Sequence, residues 1–370
     1  MFSAYRERRL LPFLSIILGM AAVLPTPLHA NSREVSGMVE AKASLPRVLV
    51  LATGGTISGK ADTRSAIGYN AGAVTGEQLI AGVPGLEKLA RLKVEQISNI
   101  PSQNMNSQVW FRLAERIRAA FEKNEADAVV ITHGTDTMEE TAFFLDTVIG
   151  NSKPIILTGA MRPSTAISAD GPANMYEAVK VAATPQTRGR GVLVVMDDAI
   201  HAAHWVSKTH TTALETFRSR DAGPVGSVDP ASVRFFAPAR ARIHVDLPQN
   251  HQLPRVEVIY AHADMDAAQI DEAVKTGARG IVVAGMGDGN VSEAALAGLD
   301  RAVKAGIVVV RSSRVGDGYV NRNVEVDDDR HGLVASLDLN PQKARILLQL
   351  LLATDTTTPA DIQKAFGEGY

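Results

Sequence analysis

Two short segments of this 370-residue chain place glycines beside hydroxyl side chains, each directly after an apolar run. The first extends from Thr53 to Gly59 and the second from Thr132 to Thr137. Glycine lets backbone N–H groups approach a ligand closely, and a threonine hydroxyl becomes a nucleophile when a neighbouring group activates it. The first segment lacks the lysine of a phosphate-binding loop and the glycine spacing of a dinucleotide site, which disfavours nucleotide binding. Thr56 is therefore either a nucleophile or the capping residue of a tight turn.

The second segment also carries carboxylates. Either Thr135 or Asp136 is placed to cap a helix that begins near Met138. Glu139 and Glu140 then fall in the first turn, where the helix dipole favours negative charge. The free N–H groups of such a helix start also suit a carboxylate or an oxyanion, so capping and catalysis are compatible here.

A threonine hydroxyl is a weak nucleophile at neutral pH and needs a base or a charge relay. Tyr69, in a glycine-rich stretch after the first segment, and Lys208 are the candidate activators. A lysine beside a carboxylate often forms only an ion pair, and that alternative stays open for Lys208. No HExxH pattern is present, and we interpret four histidines as structural: His133, His201, His204 and His210.

Buried strands should position these segments. Continuous apolar runs alternate with helical spacing, which predicts a mostly parallel sheet with helices on both faces, where ligands collect at the carboxyl ends of strands. These runs are 47–52, 128–132, 154–159 and 191–196, with a helix over 138–149. A second series predicts a smaller α/β domain: strands at 256–260, 280–284 and 307–310, and a helix over 343–352 capped by Asn340 with Pro341 at its first position.

The length predicts two domains. We place the N-terminal domain at residues 45–237, a linker at 238–253 and the C-terminal domain at 254–370. Between the two strand series, residues 218–254 are rich in Pro, Gly and Arg, which predicts an interdomain connection with local strands.

Bulk composition narrows the function. The net charge of −2 gives no sign of nucleic-acid or membrane-surface binding, which need clustered basic charge. The absence of cysteine excludes disulfides, thiolate metal sites and a cysteine nucleophile. We predict a small-molecule substrate and neither a metal nor a cofactor.

Residues 1–30 have the layout of a signal peptide: a cluster of arginines, an apolar run from Leu10 to Leu24, and a small residue at Ala30. The alternative is an N-terminal membrane anchor. The apolar run is short for a span of roughly 20 residues, and Pro25 and Pro27 fit a cleavage region better. We predict a periplasmic or secreted protein without stable membrane association after cleavage.

The segments Thr53–Ile57 and Ile131–Thr141 resemble the two signature segments of bacterial type II (periplasmic) L-asparaginases and the related glutaminase-asparaginases. The likeness covers essentially the whole mature chain in order and extends to the segments 161–164, 168–172, 311–314 and 340–345. It implies a larger flavodoxin-like N-terminal domain with a mostly parallel sheet and a smaller Rossmann-like α/β domain. It also implies a homotetramer with active sites between the N-terminal domain of one subunit and the C-terminal domain of a partner.

The resemblance implies two threonine triads. Thr56 matches the nucleophile that attacks the amide carbonyl and becomes a β-acyl ester, and Tyr69 matches its activating tyrosine. Glu325 matches a glutamate that completes this first triad from a neighbouring subunit. The second triad orients or activates water and stabilises charge, and its members are Thr135, Asp136 and Lys208.

Substrate-binding positions carry over in the same way. Ser102 and Gln103 resemble the residues that hold the α-carboxylate and α-amino groups, Asp136 resembles the carboxylate that pairs with the ammonium, and Thr135 lies beside it. Asp264 stands where many relatives have an asparagine from the partner subunit, at a position thought to influence the use of glutamine.

Three functions follow. The first is an L-asparagine amidohydrolase with some activity on L-glutamine. The second is a glutaminase-asparaginase that uses both amides comparably. The third is an exported amino-acid-binding protein, because two α/β domains after a signal peptide also describe periplasmic receptors; it predicts binding without turnover.

Overall fold

The computed structural model describes residues 44–61, 69–70 and 72–367, with the backbone alone at positions 61, 69 and 70. The strands in these residues are β1 Arg47–Gly54, β2 Lys60–Ala61, β3 Tyr69–Asn70, β4 Arg91–Ile100, β5 Ala128–Thr132, β6 Ile155–Thr158, β7 Val192–Met196, β8 Ala199–Ala202, β9 Val206–Lys208, β10 Phe217–Ser219, β11 Gly226–Val228, β12 Val233–Phe235, β13 Val256–Tyr260, β14 Gly280–Gly285, β15 Val308–Ser313 and β16 Val334–Ala335.

The α-helices are α1 Gly76–Ala81, α2 Ser107–Glu122, α3 Met138–Val148, α4 Gly171–Ala183, α5 Ala268–Lys275, α6 Glu293–Lys304, α7 Asp328–His331, α8 Pro341–Ala353 and α9 Pro359–Gly367. Short 3₁₀ helices follow several strands, and the ones that bear on the site are Thr56–Ser58, Ser102–Asn104 and Thr135–Thr137. Within the described ranges, no helix is long and apolar enough to cross a membrane.

An eight-stranded sheet forms the larger part of the fold, in the order β12-β11-β8-β7-β6-β5-β1-β4. The five strands from β7 to β4 pair in parallel. β1, β5 and β7 are buried along nearly their whole length, as continuous apolar runs with helices on both faces require. The predicted mostly parallel sheet is confirmed.

The strand order reverses at β1. The chain leaves β1 for its neighbour β4 and later returns to β5 on the opposite side of β1. Loops that follow strands on either side of such a reversal diverge and leave a crevice at the carboxyl edge, where parallel sheets bind ligands. The carboxyl ends of β4, β1 and β5 are therefore the place to look for a site.

The segment 218–254, predicted as an interdomain connection with local strands, does contain short strands. β11 and β12 lie inside it and extend the large sheet as antiparallel strands next to β8. Each is only three residues long and is flanked by Gly, Pro and polar residues, so the sequence predicted local strands here without their bounds or their pairing with the large sheet.

The C-terminal residues build a separate four-stranded parallel sheet in the order β13-β14-β15-β16. α8 contacts its strands β13, β14 and β15 and also α3 of the larger sheet. The Asn340 side chain accepts from the Lys343 N–H at 3.1 Å and Pro341 is the first helical residue, which confirms the predicted start of α8. A single hydrophobic cluster contains Leu49 of β1, Val282 of β14 and Leu347 of α8, so the two sheets share a core.

Candidate active site

Three 3₁₀ turns lie at the carboxyl ends of the three strands around the reversal. Thr56–Ser58 follows β1, Ser102–Asn104 follows β4, and Thr135–Thr137 follows β5. The three turns meet at glycines. An added Cβ at Gly55 would lie 2.3 Å from Gly134 N, and one at Gly134 would lie 2.6 Å from Ser102 Oγ. Only glycine permits this approach, so the glycines of both sequence segments exist to bring the three turns together.

Thr56 begins the turn after β1 and is 7% exposed. The turn is fixed by backbone bonds from Gly55 N to Ile100 O at 3.1 Å and from Gly59 N to Thr56 O at 2.8 Å. Gly55 precedes the turn with φ 83° and ψ −171°, and no side chain caps the turn. The tight turn is therefore present, but Thr56 is not its capping residue.

Lys208 joins the second segment from β9. Its Nζ donates to Thr135 Oγ1 at 2.9 Å and to Asp136 Oδ1 at 2.6 Å. The Lys208 side chain is 16% exposed and the Asp136 side chain 56% exposed, so the cation is the better buried of the pair. The ion pair left open from the sequence is present, and a hydroxyl contact accompanies it.

The prediction that Thr135 or Asp136 caps a helix is wrong. Gly134 precedes the 3₁₀ turn, Thr137 precedes α3, and neither helix start has a side-chain cap. The reason is that Thr135 and Asp136 themselves lie within the 3₁₀ turn Thr135–Thr137, so neither occupies the position before a helix, and their side chains accept hydrogen bonds from Lys208. Glu139 and Glu140 do lie in the first turn of α3, as expected.

Ser102 ties the turn after β4 to the second segment. Its Oγ accepts from Asp136 N at 3.2 Å, and its backbone oxygen accepts from Thr137 Oγ1 at 2.8 Å. Ser102 is buried, whereas its neighbour Gln103 is exposed at the rim. Ser102, Thr135, Asp136 and Lys208 therefore form one connected group of polar side chains.

His133 lies next to this group, where it contacts Gly134 and Thr141, and is not available as a base. Trp110 Nε1 donates to Thr141 Oγ1 at 2.8 Å, which leaves the hydroxyl hydrogen for His133 Nε2 at 2.8 Å. Nδ1 therefore carries the ring hydrogen and donates to Gly134 O at 2.6 Å. Complete burial lowers the pKa of His133 to about 4, so the ring is neutral at neutral pH. This agrees with the structural interpretation of the histidine.

Two of the remaining sequence candidates, Glu325 and Asp264, lie outside this group. Tyr69 begins β3, which pairs with β2, and its side chain is outside the described atoms. Glu325 is exposed and accepts a hydrogen bond from Asn290 Nδ2 in the loop after β14. Asp264 is exposed after β13, with a left-handed φ of 61°. Among the described residues, the contacts that join Ser102 to Lys208 do not extend to Glu325 or Asp264.

Ser164 is a residue that sequence reasoning did not single out by role. Its N–H and its hydroxyl both donate to Gly59 O, at 3.0 Å and 2.7 Å, and so hold the end of the first segment. Asp170 in turn accepts from Met161 N and Arg162 N and fixes the loop that carries Ser164. The contact spans 105 positions of sequence, and the only signal for it is the family likeness at residues 161–164.

A turn that begins with a buried threonine, a lysine-bound threonine and a rim carboxylate at one sheet edge suit acyl transfer to and from a hydroxyl. Within residues 44–61, 69–70 and 72–367, no group of three or more His, Asp or Glu side chains is arranged to hold a metal ion.

Comparison with known proteins gives this geometry a family. A model of the asparaginase N-terminal domain matches residues 47–241, and a model of the glutaminase/asparaginase C-terminal domain matches residues 255–366. The chain belongs to the asparaginase family. This confirms the resemblance found in the sequence, the two-part α/β fold and the prediction of a hydrolase. The proposed domain limits at 237 and 254 stay predictions.

Individual asparaginase relatives align over most of their length. "Probable L-asparaginase periplasmic" from Haemophilus influenzae is 46% identical over 88% of this chain and 93% of its own. "Glutaminase-asparaginase" from Pseudomonas fluorescens biotype A is 41% identical over 94% of this chain and 96% of its own. The crystal structure of a probable cytoplasmic L-asparaginase from Campylobacter jejuni superposes with a TM-score of 0.83 at 42% identity, covering 87% of this chain and 99% of that one.

Proposed function

We propose that this protein hydrolyses L-asparagine to L-aspartate and ammonia, with Thr56 as the nucleophile. One observation carries the proposal: Lys208 donates to both Thr135 and Asp136 in a loop whose backbone touches the loop of Thr56. A glycine-rich turn alone would need no second hydroxyl and no partly buried lysine. Family membership supplies the reaction class.

Acylation begins when Thr56 Oγ1 attacks the side-chain amide carbon, and Tyr69 takes the hydroxyl proton. The C–N bond then breaks, the nitrogen leaves as ammonia after gaining a proton, and a β-aspartyl ester remains on Thr56. We assign the oxyanion to backbone N–H groups of the glycine-rich turn other than those of Gly55, Ser58 and Gly59, which already donate within the protein. Loss of one such donor typically costs about 2.7–4 kcal/mol of transition-state stabilisation.

Deacylation uses the second triad. Lys208 donates to Thr135 Oγ1, so the hydrogen of this hydroxyl points away from Lys208. Thr135 then orients the attacking water, and the positive charge of Lys208 stabilises negative charge that develops beside it. The ester C–O bond breaks, Thr56 regains its proton, and aspartate leaves.

Substrate recognition requires complementarity to an amino-acid zwitterion. We assign the α-carboxylate and α-amino groups to Ser102, Gln103 and Thr135, and the ammonium to Asp136. Asp136 is half exposed and lies at the rim beside buried Ser102. Each charge-assisted hydrogen bond contributes about 1.5–3 kcal/mol.

The complete site is proposed to form between subunits of a homotetramer, with Glu325 and Asp264 supplied by a partner. Two observations support this: both side chains are exposed, and neither reaches the Thr135 group in its own chain. We further propose export through the leader at residues 1–30, which lies outside the described residues. The word "periplasmic" in the name of the Haemophilus influenzae relative is consistent with export.

Comparable use of glutamine is the second candidate function. Asp264 leaves the preference between the two amides open, and the name of the Pseudomonas fluorescens relative, which includes both activities, favours this candidate. A glutamine side chain is one methylene longer, which is worth about 1–3 kcal/mol of discrimination in a fitted pocket. Ammonia release from each amide, compared as kcat/KM, separates the two functions: a ratio near one would replace our preference for asparagine.

The same assay tests the nucleophile. Thr56→Ala should lower kcat by at least about 10⁴-fold, because the covalent route is lost. Thr212→Ala, at an exposed threonine outside the site, is the control and should be unchanged. Retention of most activity in Thr56→Ala would overturn the assignment, and purified wild-type protein that binds asparagine but releases no ammonia would be the amino-acid-binding protein instead.

Subunit mixing tests the shared site. Thr56→Ala and Glu325→Ala should each be inactive alone, whereas co-expression of the two should restore roughly a quarter of wild-type activity for random pairing of subunits. The restored sites take Thr56 from one subunit and Glu325 from the other. If both residues act within one chain, the mixture stays inactive.

A further inference from the structure

The strand that carries Lys208 has little support of its own. β9 is three residues long and pairs with β10 in a two-stranded sheet that is separate from the large sheet. Lys208 is its last residue and reaches Thr135 only through a flexible four-carbon side chain. Something must therefore fix where this strand lies relative to the second segment.

The beginning of α8 holds this strand. Lys343, the third residue of α8, is 1% exposed, and its Nζ donates to His204 O at 2.8 Å and to Val206 O at 2.6 Å. These two carbonyls lie four and two residues before Lys208. A buried lysine amino group thus holds, through two hydrogen bonds, the backbone that leads into the strand.

Neighbouring side chains from the same segment add further hydrogen bonds to this part of the chain. Asn340 Nδ2 donates to Ser207 Oγ at 3.0 Å, while the same side chain caps α8 through its Oδ1. Asp338 Oδ2 accepts from His204 Nε2 at 2.8 Å and from Trp205 Nε1 at 3.1 Å. Residues 338–343 of the C-terminal part therefore bind four consecutive residues, 204–207, just ahead of Lys208.

Burial of an ammonium group is unfavourable and lowers the pKa of Lys343 to about 8. An aliphatic side chain would fill this position in the leucine-rich helix without that cost, but it would leave two backbone carbonyls without donors. The use of a lysine here is explained by the two carbonyls it binds.

We propose that Lys343, aided by Asn340, is a positioning residue for the reaction: it sets the place of Lys208 opposite Thr135 and Asp136. The inference rests on the proposed role of Lys208 in deacylation. Loss of the two Lys343 hydrogen bonds lets β9 shift, and a displacement near 1 Å at a catalytic group lowers rates by about 100-fold. The C-terminal part of the chain thereby controls its own chain's second triad.

A double-mutant cycle tests this. Lys343→Met keeps an unbranched side chain that is one atom shorter and removes its donors. We expect kcat for asparagine to fall about 10- to 100-fold with KM within about threefold of wild type. In a Lys208→Met background the same change should lower kcat by less than about twofold, because the group it positions is already absent. Lys275→Met, at an exposed lysine of α5, is the control for loss of a lysine.

The possible results distinguish failure of this proposal from failure of the proposed second triad. A purely structural Lys343 would lower activity by the same factor with Lys208 present or absent, and that result overturns the proposal, as does an unchanged kcat in Lys343→Met. A Lys208→Met enzyme with normal kcat would instead refute the proposed second triad. If Lys343→Met does not fold, Ser207→Ala carries the test, since it removes the Asn340 contact and leaves α8 intact. It should lower kcat about 2- to 10-fold, and only when Lys208 is present.

Discussion

A methyl group added at Gly55 would meet the backbone of the second segment. The new Cβ would lie 2.3 Å from Gly134 N and 2.4 Å from Gly134 Cα, whereas ordinary contact begins near 3.4 Å. The segment that carries Thr135 would therefore have to move by about 1 Å, which is a displacement that lowers catalytic rates by about 100-fold. We predict a fall of that size in kcat/KM for Gly55→Ala.

Gly277→Ala is a matched control, since Gly277 has the same φ of 83° as Gly55 and nothing lies within 4 Å of its added Cβ. Both substitutions force alanine into left-handed backbone, which costs about 1–3 kcal/mol. Only Gly55→Ala adds the backbone clash, for which overpacking typically costs about 1–3 kcal/mol more. Urea unfolding at equal protomer concentration measures the stability difference, and ammonia release at low asparagine concentration measures kcat/KM.

Two results of this comparison would contradict the prediction. If Gly55→Ala matches Gly277→Ala in both stability and kcat/KM, the two loops do not touch as described. If Gly55→Ala loses stability alone, the contact is real but does not set the geometry of catalysis.

Three further predictions concern single side chains. His133 has a native pKa of about 4 and an unfolded value near 6.5, so the free energy of unfolding should decrease as the pH drops through that interval. In His133→Asn this decrease should be smaller by about 3 kcal/mol, measured by urea titrations at pH 7 and pH 4. Arg311→Met should lower the free energy of unfolding by about 3–5 kcal/mol, since it leaves the fully buried Asp328 without its cation. The double variant Arg311→Met/Asp328→Leu should recover much of this loss, and equal losses in both variants would contradict the reasoning. Asp136→Asn should lower kcat/KM for asparagine by about 10- to 150-fold, since a charge-assisted bond to the ammonium contributes about 1.5–3 kcal/mol, and unchanged steady-state kinetics would remove Asp136 from the site.

Local patterns made much of the fold predictable. The apolar runs of β1, β5 and β7 are buried on both faces and need no partner to be recognised, and the start of α8 is encoded within four residues from Asn340 to Lys343. The ends of such strands then indicated which loops carry the site.

Tertiary contacts were not predictable from local sequence. Lys208 reaches Thr135 across 73 positions, and Lys343 reaches Val206 across 137. The capping prediction at Asp136 failed because Asp136 lies inside the 3₁₀ turn Thr135–Thr137, where its carboxylate accepts a hydrogen bond from the distant Lys208. Lys208 was a candidate from its residue type and the resemblance implied its role, whereas the role of Lys343 is visible only in the three-dimensional contacts.

The identity of the nucleophile is the central claim, and a trapped ester tests it most directly. In Lys208→Met, water attack should be slowed more than formation of the ester, so the acyl-enzyme should accumulate during turnover of asparagine. Rapid acid quench, digestion and peptide mass spectrometry locate the bound aspartyl group. We predict that it is found in ester linkage on the peptide containing Thr56. An aspartyl ester on Thr135, with none on Thr56 in either the variant or the wild type, would contradict the mechanism.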